Sequence, residues 1–127
     1  MVTGFDHVHF YCGNMEKAIA YFQNLFDGRV ISKAEFKGFT YVRMQVYGFT
    51  IALRGVDPRN EEQVAGKEKR GLDHFGFKVD NLEKTLNDLA RKGARIVVKP
   101  NVSPLGLNCA FIEGPEGSVV ELLEEKS

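Results

Sequence analysis

The stretch DHVHFYCGNMEKAI, residues 6–19, returns later in the chain as DHFGFKVDNLEKTL, residues 73–86. His7 and His74 lie 67 positions apart, and Asp6/Asp73, Asn14/Asn81, Glu16/Glu83 and Lys17/Lys84 keep that offset. Met15/Leu82 and Ile19/Leu86 keep the apolar pattern between them. Two further blocks follow in the same order. DGRVI (27–31) aligns with KGARI (92–96), and YGFTIALR (47–54) aligns with EGSVVELL (116–123). Three collinear blocks mark a duplicated module. The chain therefore reads as one domain over 1–127, built from a module at 1–56, a polar and charged linker at 57–69, and a second module at 70–127.

Each copy has the same local grammar. An alternating strand opens it, with Val8, Phe10 and Cys12 on one face and His7, His9 and Tyr11 on the other. Asn14 and Asn81 are expected N-caps, each with a Glu in the first helical turn where it complements the helix dipole. Met15, Ile19, Phe22 and Phe26 form one apolar helix stripe, and Leu82, Leu86 and Leu89 the other. Gly28 and Gly93 are expected to end the helices in a left-handed conformation. Three strand-like segments complete each copy: RVISKAEF, TYVRMQVY and FTIALRG in the first, and RIVVKP, LNCAFIEG and SVVELLE in the second. A GPEG turn stands at 114–117. The expectation is an α+β fold of two βαβββ modules whose curved mixed sheets surround a functional site.

Composition narrows the function classes. Seventeen basic and seventeen acidic residues cancel, so no bulk field draws the chain to nucleic acid or an anionic membrane. Cys12 and Cys109 form neither a CxxC motif nor a disulfide framework, which suits a reduced, cytoplasmic setting. The first residues lack the basic and apolar regions of a signal peptide, and no apolar run approaches a membrane span. A soluble cytoplasmic protein acting on a small molecule is the expectation.

Three residues carry the chemical argument. A single histidine on a strand is ordinarily a satisfied polar residue, but His7 and His74 occupy equivalent positions in a duplicated module. If the copies are related by a pseudo-twofold axis, their imidazoles can converge. Glu121 shares a strand face with Val119 and Leu123 in an otherwise apolar final strand, where a carboxylate is costly unless paired or metal-bound. The alternative, an edge charge in solvent, sits poorly with its repeat counterpart, Ala52, in the interior-looking FTIALRG. Two histidines and one carboxylate form a metal-ligand set with open positions. One carboxylate and two neutral imidazoles leave a divalent ion with about one positive charge, suited to an anionic ligand offering two adjacent oxygens.

The early histidines, the DNLEK turn, the GPEGSVVELLE ending and the duplicated βαβββ pattern resemble the vicinal oxygen chelate superfamily. That group includes glyoxalase I, fosfomycin- and bleomycin-resistance proteins and extradiol dioxygenases. The resemblance covers nearly the whole chain outside the linker. It implies metal ligands at the first and last strands of each module, which map to His7, Ala52, His74 and Glu121. Alanine at 52 cannot bind metal. The resemblance then points to a three-ligand site of the extradiol-dioxygenase kind, with Fe(II) or Mn(II) favoured and Zn(II) or Ni(II) as the alternatives. A glyoxalase I-type lyase or isomerase is the second reading, and a resistance-type protein that only binds its ligand is the third.

With no carboxylate at 52, a base must come from elsewhere. His9 shares the face of His7, and its counterpart Gly76 leaves room for substrate. Tyr41 and Arg43 share a strand face and suit a hydrogen-bonding or anion-anchoring wall. His9, Tyr41 and Arg43 are thus the catalytic candidates. Phe39 and Phe111 are candidates for an apolar pocket wall. Proteins of this size in the family commonly pair as homodimers, so the ligands would come from one chain or from two.

Overall fold

The protein is described by a computed structural model covering residues 1, 3, 5–56, 72, 74–104 and 106–125. The linker expected at 57–69 and Asp73 lie outside the described residues. The chain divides into two compact units, Met1–Gln63 and Val64–Ser127.

The first unit runs β1 (Val8–Cys12), α1 (Met15–Phe26), β2 (Arg29–Phe36), β3 (Phe39–Val46) and β4 (Phe49–Gly55). Its sheet has the order β1-β4-β3-β2, with β1 parallel to β4 and the other pairs antiparallel. The second unit repeats the plan with β5 (Phe75–Val79), α2 (Leu82–Arg91), β6 (Ile96–Val102), β7 (Asn108–Glu113) and β8 (Val119–Glu124). Its order is β5-β8-β7-β6, again with one parallel pair, β5 with β8. Each module is βαβββ, as the repeat requires.

Local chemistry explains the boundaries. Asn14 Oδ1 accepts from Lys17 N–H at 3.0 Å, and Asn81 Oδ1 accepts from Lys84 N–H at 3.0 Å, which satisfies helix-start donors that lack intrahelical partners. The C-termini differ from expectation in one detail. Gly93 takes the left-handed conformation (φ 94), but at α1 that role falls to Asp27 (φ 52, ψ 33). Gly28 is required for space instead, since a Cβ there would lie 2.9 Å from Phe22 O. The strands β2, β3 and β4 are joined by two-residue turns, Lys37-Gly38 and Tyr47-Gly48, with φ positive at all four positions. That is the pattern whose twist matches paired strands, and it takes Tyr47 out of the strand where its sequence neighbours belong. Pro100 lies within β6, an edge strand, where a missing N–H is tolerated.

Each helix covers one face of its own sheet. Ala18, Phe22, Leu25 and Phe26 are the buried residues of α1, while Met15 and Ile19 stand at the margin. In the same unit Val42, Met44, Val46, Ile51 and Leu53 are buried on their strands. Phe10 of β1 packs on Phe22 with ring centroids 6.1 Å apart. In the second unit Leu82, Leu86 and Leu89 of α2 are buried, as are Ala110, Ile112, Val120 and Leu122. Each fully buried side chain of this size contributes roughly 1.5–3 kcal/mol through removal from water. Because strand side chains alternate, burying these residues turns the intervening ones, including every candidate site residue, to the other face.

Candidate metal centre

In the second unit, His74 stands immediately before β5 and Glu121 lies in the middle of β8. The register places Gly76 of β5 beside Glu121, and Phe111 of β7 on its other side. His74 is therefore one pleat from the Gly76–Glu121 row, and its Nε2 comes within 3.3 Å of Glu121 Oε1. The Phe111 ring meets the His74 ring edge-on at 5.0 Å between centroids and fixes its plane. Gly76 makes the space. A Cβ at that position would lie 3.2 Å from Glu121 Cβ and 3.2 Å from Glu121 O. The carboxylate costly on an apolar strand thus has a partner, and its side chain is only 19% exposed.

The spacing of this pair suits two ligands of one divalent ion. Ligands at about 2.1 Å from a metal lie roughly 3.0–3.4 Å apart along an octahedral or tetrahedral edge, and the 3.3 Å His74–Glu121 separation falls in that range. Cys109 shares the Glu121 face two residues from Phe111. Burial, then the Glu121 charge and a hydrogen bond to Glu121, push its thiol above the usual range. Its Sγ donates to Asn101 Oδ1 at 3.5 Å, so it is a protonated neighbour rather than a thiolate ligand.

The first unit shows how far the copies have diverged. His7 Nδ1 lies 2.8 Å from Asp6 Oδ2, and the same oxygen accepts from Arg43 Nη2 at 2.8 Å. These contacts, Arg43 first and His7 second, hold the Asp6 carboxyl below its ordinary range. A carboxylate at Nδ1 favours the tautomer with the ring proton there, which leaves the Nε2 lone pair free to bind an ion. His9 follows on the same face, with its ring 6.3 Å from His7, and Tyr11 follows His9 at 5.3 Å. Burial lowers the His9 pKa, with His7 and Arg54 adding to the effect.

In register, the row His9–Ala52–Arg43 corresponds to Gly76–Glu121–Phe111. Bulk and space are exchanged at two of the three positions: a small Ala52 lies between two large side chains, while Glu121 has glycine on one side. Tyr41 and Arg43 share the face as expected, but Arg43 is already engaged by Asp6. Within each unit the described residues hold no group of three His, Cys, Asp or Glu side chains able to bind an ion.

Two residues escaped the sequence reading. Asp6 was visible only as part of the repeated Asp-His pair, whose bond to the imidazole is a side-chain contact. Arg54, two residues after Ala52 on the same face, lies between the rings of Phe39 (3.9 Å) and Tyr11 (5.1 Å). Its only sequence signal is a charge at the end of FTIALRG.

Known proteins agree with this architecture. A 4-hydroxyphenylpyruvate dioxygenase of Yarrowia lipolytica is 31% identical over 109 residues, covering 78% of this chain and 28% of that protein. A probable chloroplastic lactoylglutathione lyase of Arabidopsis thaliana is 28% identical over 129 residues, covering 93% of this chain and 35% of that protein. The chain thus spans about a third of the length of these curated relatives. Among solved structures, a glyoxalase family protein from Enterococcus faecalis superposes with a TM-score of 0.84 at 19% identity, covering 95% of this chain and 97% of that one. A fosfomycin resistance protein mutant from Listeria monocytogenes, complexed with Mn(II) and 1S,2S-dihydroxypropylphosphonic acid, superposes at 0.71 with 14% identity, covering 99% of this chain and 95% of that one. Among the described residues no helix is long and apolar enough to cross a membrane. The family model for the Glyoxalase/Bleomycin resistance protein/Dioxygenase superfamily matches residues 4–122, and with the duplicated βαβββ architecture this means that the chain belongs to that superfamily.

Proposed function

We propose that this protein is a divalent-metal-dependent enzyme acting on a small substrate with two adjacent oxygens, by dioxygenase-type chemistry. His7, His74 and Glu121 are its metal ligands, supplied by one chain or across a homodimer. The observation that carries the reading is the His74–Glu121 pair, 3.3 Å apart beside Gly76, set against alanine at the matching position 52. A site with three protein ligands leaves room for both substrate oxygens and a further small molecule. Fe(II) is the favoured ion and Mn(II) the next.

When bound, the ion supplies Lewis acidity and a template for the oxygen pair, and iron also supplies reactivity toward dioxygen. The rest falls to the chain. Asp6 holds His7 in the ligand tautomer and keeps Arg43 beside it. His9, one pleat from His7 with its ring 6.3 Å away, accepts the proton that a substrate hydroxyl loses on becoming an anion. Tyr41 offers a hydroxyl on the same sheet face. Phe111 and Gly76 shape the wall around Glu121 and limit the water that reaches it.

The relative named as a lactoylglutathione lyase, matched over 93% of this chain, favours one second reading, a glyoxalase I-type isomerisation in which His9 or Glu121 moves the proton. The test begins with metal analysis of protein purified without chelator. Anaerobic loading with Fe(II) and measurement of oxygen uptake with catechols and with 4-hydroxyphenylpyruvate follow. Uptake that His74→Ala abolishes is the expected result. Turnover of hemithioacetals with Ni(II) or Zn(II), without Fe(II)-dependent oxygen uptake, reverses the order of the two readings. Absence of stoichiometric metal, with ligand binding unchanged in His74→Ala, leaves a protein that only binds.

A further inference from the structure

We infer that Arg54 is the anchor for a carboxylate group of the substrate, distinct from the two oxygens bound at the metal. This deepens the proposed function and rests on it for the reaction, but the anion site is defined by contacts within the first unit alone.

Arg54 lies on the sheet face that carries His9, Ala52 and Arg43, in register with Tyr11 of β1 and Tyr41 of β3. Its guanidinium is clamped between Phe39 at 3.9 Å and Tyr11 at 5.1 Å. Stacking favours the planar cation and holds the fork in one orientation, but it satisfies no N–H. Arg54 Nε is buried and has no hydrogen-bond acceptor among the described residues. Such a donor is normally paired, and leaving it unpaired is costly. Among the described residues no carboxylate neutralises this guanidinium, whereas Arg43 on the same face is paired with Asp6 at 2.8 Å. The arrangement is an oriented cation whose buried Nε–H lacks an acceptor among the described residues.

The face also indicates the ligand class. Arg54 is its single unpaired cation among the described arginines and lysines at these register positions. One planar guanidinium matches one planar monoanionic carboxylate through two parallel N–H···O bonds, whereas a phosphate dianion calls for a second cation. Tyr11, 53% exposed, can turn its ring away from the guanidinium without disturbing the core. From His7 the aromatic row His9 and Tyr11 leads along β1 toward Arg54, at ring spacings of 6.3 and 5.3 Å. Four residues of strand separate the His7 and Tyr11 positions by roughly 13 Å. The carboxylate and the oxygen pair therefore belong to opposite ends of the substrate, with a flat apolar body between them.

The test uses chelator-treated, metal-free protein and benzoate as the probe, with benzamide and inorganic phosphate as comparisons. Binding is followed by 1H–15N NMR, which resolves the arginine Nε–H signals. The expected result is a benzoate-dependent shift of the Arg54 Nε–H signal, with neither benzamide nor phosphate producing it at equal concentration. Benzoate affinity should fall at least tenfold in Arg54→Met and less in Arg54→Lys, which keeps the charge without the fork. Arg91→Gln, a change on the outer part of α2, should leave the affinity as it is. Phosphate binding more tightly than benzoate overturns the carboxylate assignment. Equal benzoate affinity in the native protein and in both Arg54 variants overturns the site. Benzoate binding that requires added metal and ignores Arg54 also overturns it while leaving the metal reading intact. Arg54-dependent binding in a protein that takes up no divalent ion when Fe(II), Mn(II) or Zn(II) is offered sustains the anchor and removes the metal reading.

Discussion

Gly76→Ala separates the proposed role of Glu121 from its packing. The added Cβ would lie 3.2 Å from both Glu121 Cβ and Glu121 O, and 3.6 Å from Glu121 Oε1, where ordinary contact starts at 3.4 Å. The carbonyl oxygen belongs to the backbone of the paired strand and yields little. The Glu121 side chain must therefore shift by about 0.2 Å or more, which is the tolerance of a metal–ligand distance. Overpacking costs about 1–2 kcal/mol, and loss of glycine's freedom in the unfolded chain offsets ~0.5–1 kcal/mol of it. The net destabilisation is about 1 kcal/mol, seen as a fall of roughly 3–5 °C in the melting temperature of the metal-free protein. Metal affinity should fall about tenfold, ~1.4 kcal/mol, as for changes that disturb ligand orientation. Differential scanning fluorimetry gives the first quantity, and competition for Mn(II) or Zn(II) against a colorimetric chelator gives the second. A lowered melting temperature with unchanged metal affinity would refute Glu121 as a ligand. A raised melting temperature would refute the steric reasoning itself.

Three further outcomes follow from the same contacts. Asp6→Asn weakens the orientation of His7 and should reduce metal affinity about tenfold, while the melting temperature of the metal-free protein barely moves because the Asp6 side chain is 77% exposed; an affinity equal to the native one counts against His7 as a ligand. Glu124 Oε2 accepts from Leu82 N–H at 2.8 Å at the start of α2, and this bond, with that from Asn108, holds its carboxyl below the ordinary 4.5. A depressed folded-state pKa stabilises above that ordinary value and ceases to do so as pH falls through the depressed one. Glu124→Gln should therefore lower stability at pH 7, with the gap to the native protein closing below about pH 4.5 in urea titrations; a gap independent of pH contradicts the assignment. Gly28→Ala sets a methyl 2.9 Å from Phe22 O and 3.1 Å from Met44 Cε, and should cost about 2 kcal/mol. An unchanged urea midpoint would show that the chain leaves α1 along a different path.

Much of this architecture was legible in the sequence because its causes are local. Asn14 and Asn81 cap helices through bonds that reach three residues along the chain. Strand alternation placed Val8, Phe10 and Cys12 on the helix side and His7, His9 and Tyr11 on the other, since each bond geometry repeats after two residues. The duplication carried these readings from one half to the other, and it exposed the inequality of Ala52 and Glu121. Gly28 shows the limit even at short range: its spacing suggested a left-handed cap, but contact with Phe22 O and Met44 decides why glycine stands there.

Register and partner choice depend on contacts between segments far apart in the chain, which no local pattern encodes. The parallel pairing of β5 with β8 brings Gly76 to Glu121, and 47 positions separate His74 from the carboxylate it meets. Arg43 reaches Asp6 across 37 positions and thereby loses its freedom as an anion anchor. Arg54, an ordinary charge when read along the strand, gains its significance only between Tyr11 and Phe39. The sequence alone determined the duplicated modules and singled out the candidate residues His7, His74 and Glu121. Tertiary structure decided which side chains pair with which, because neutralisation and desolvation are properties of neighbours in space.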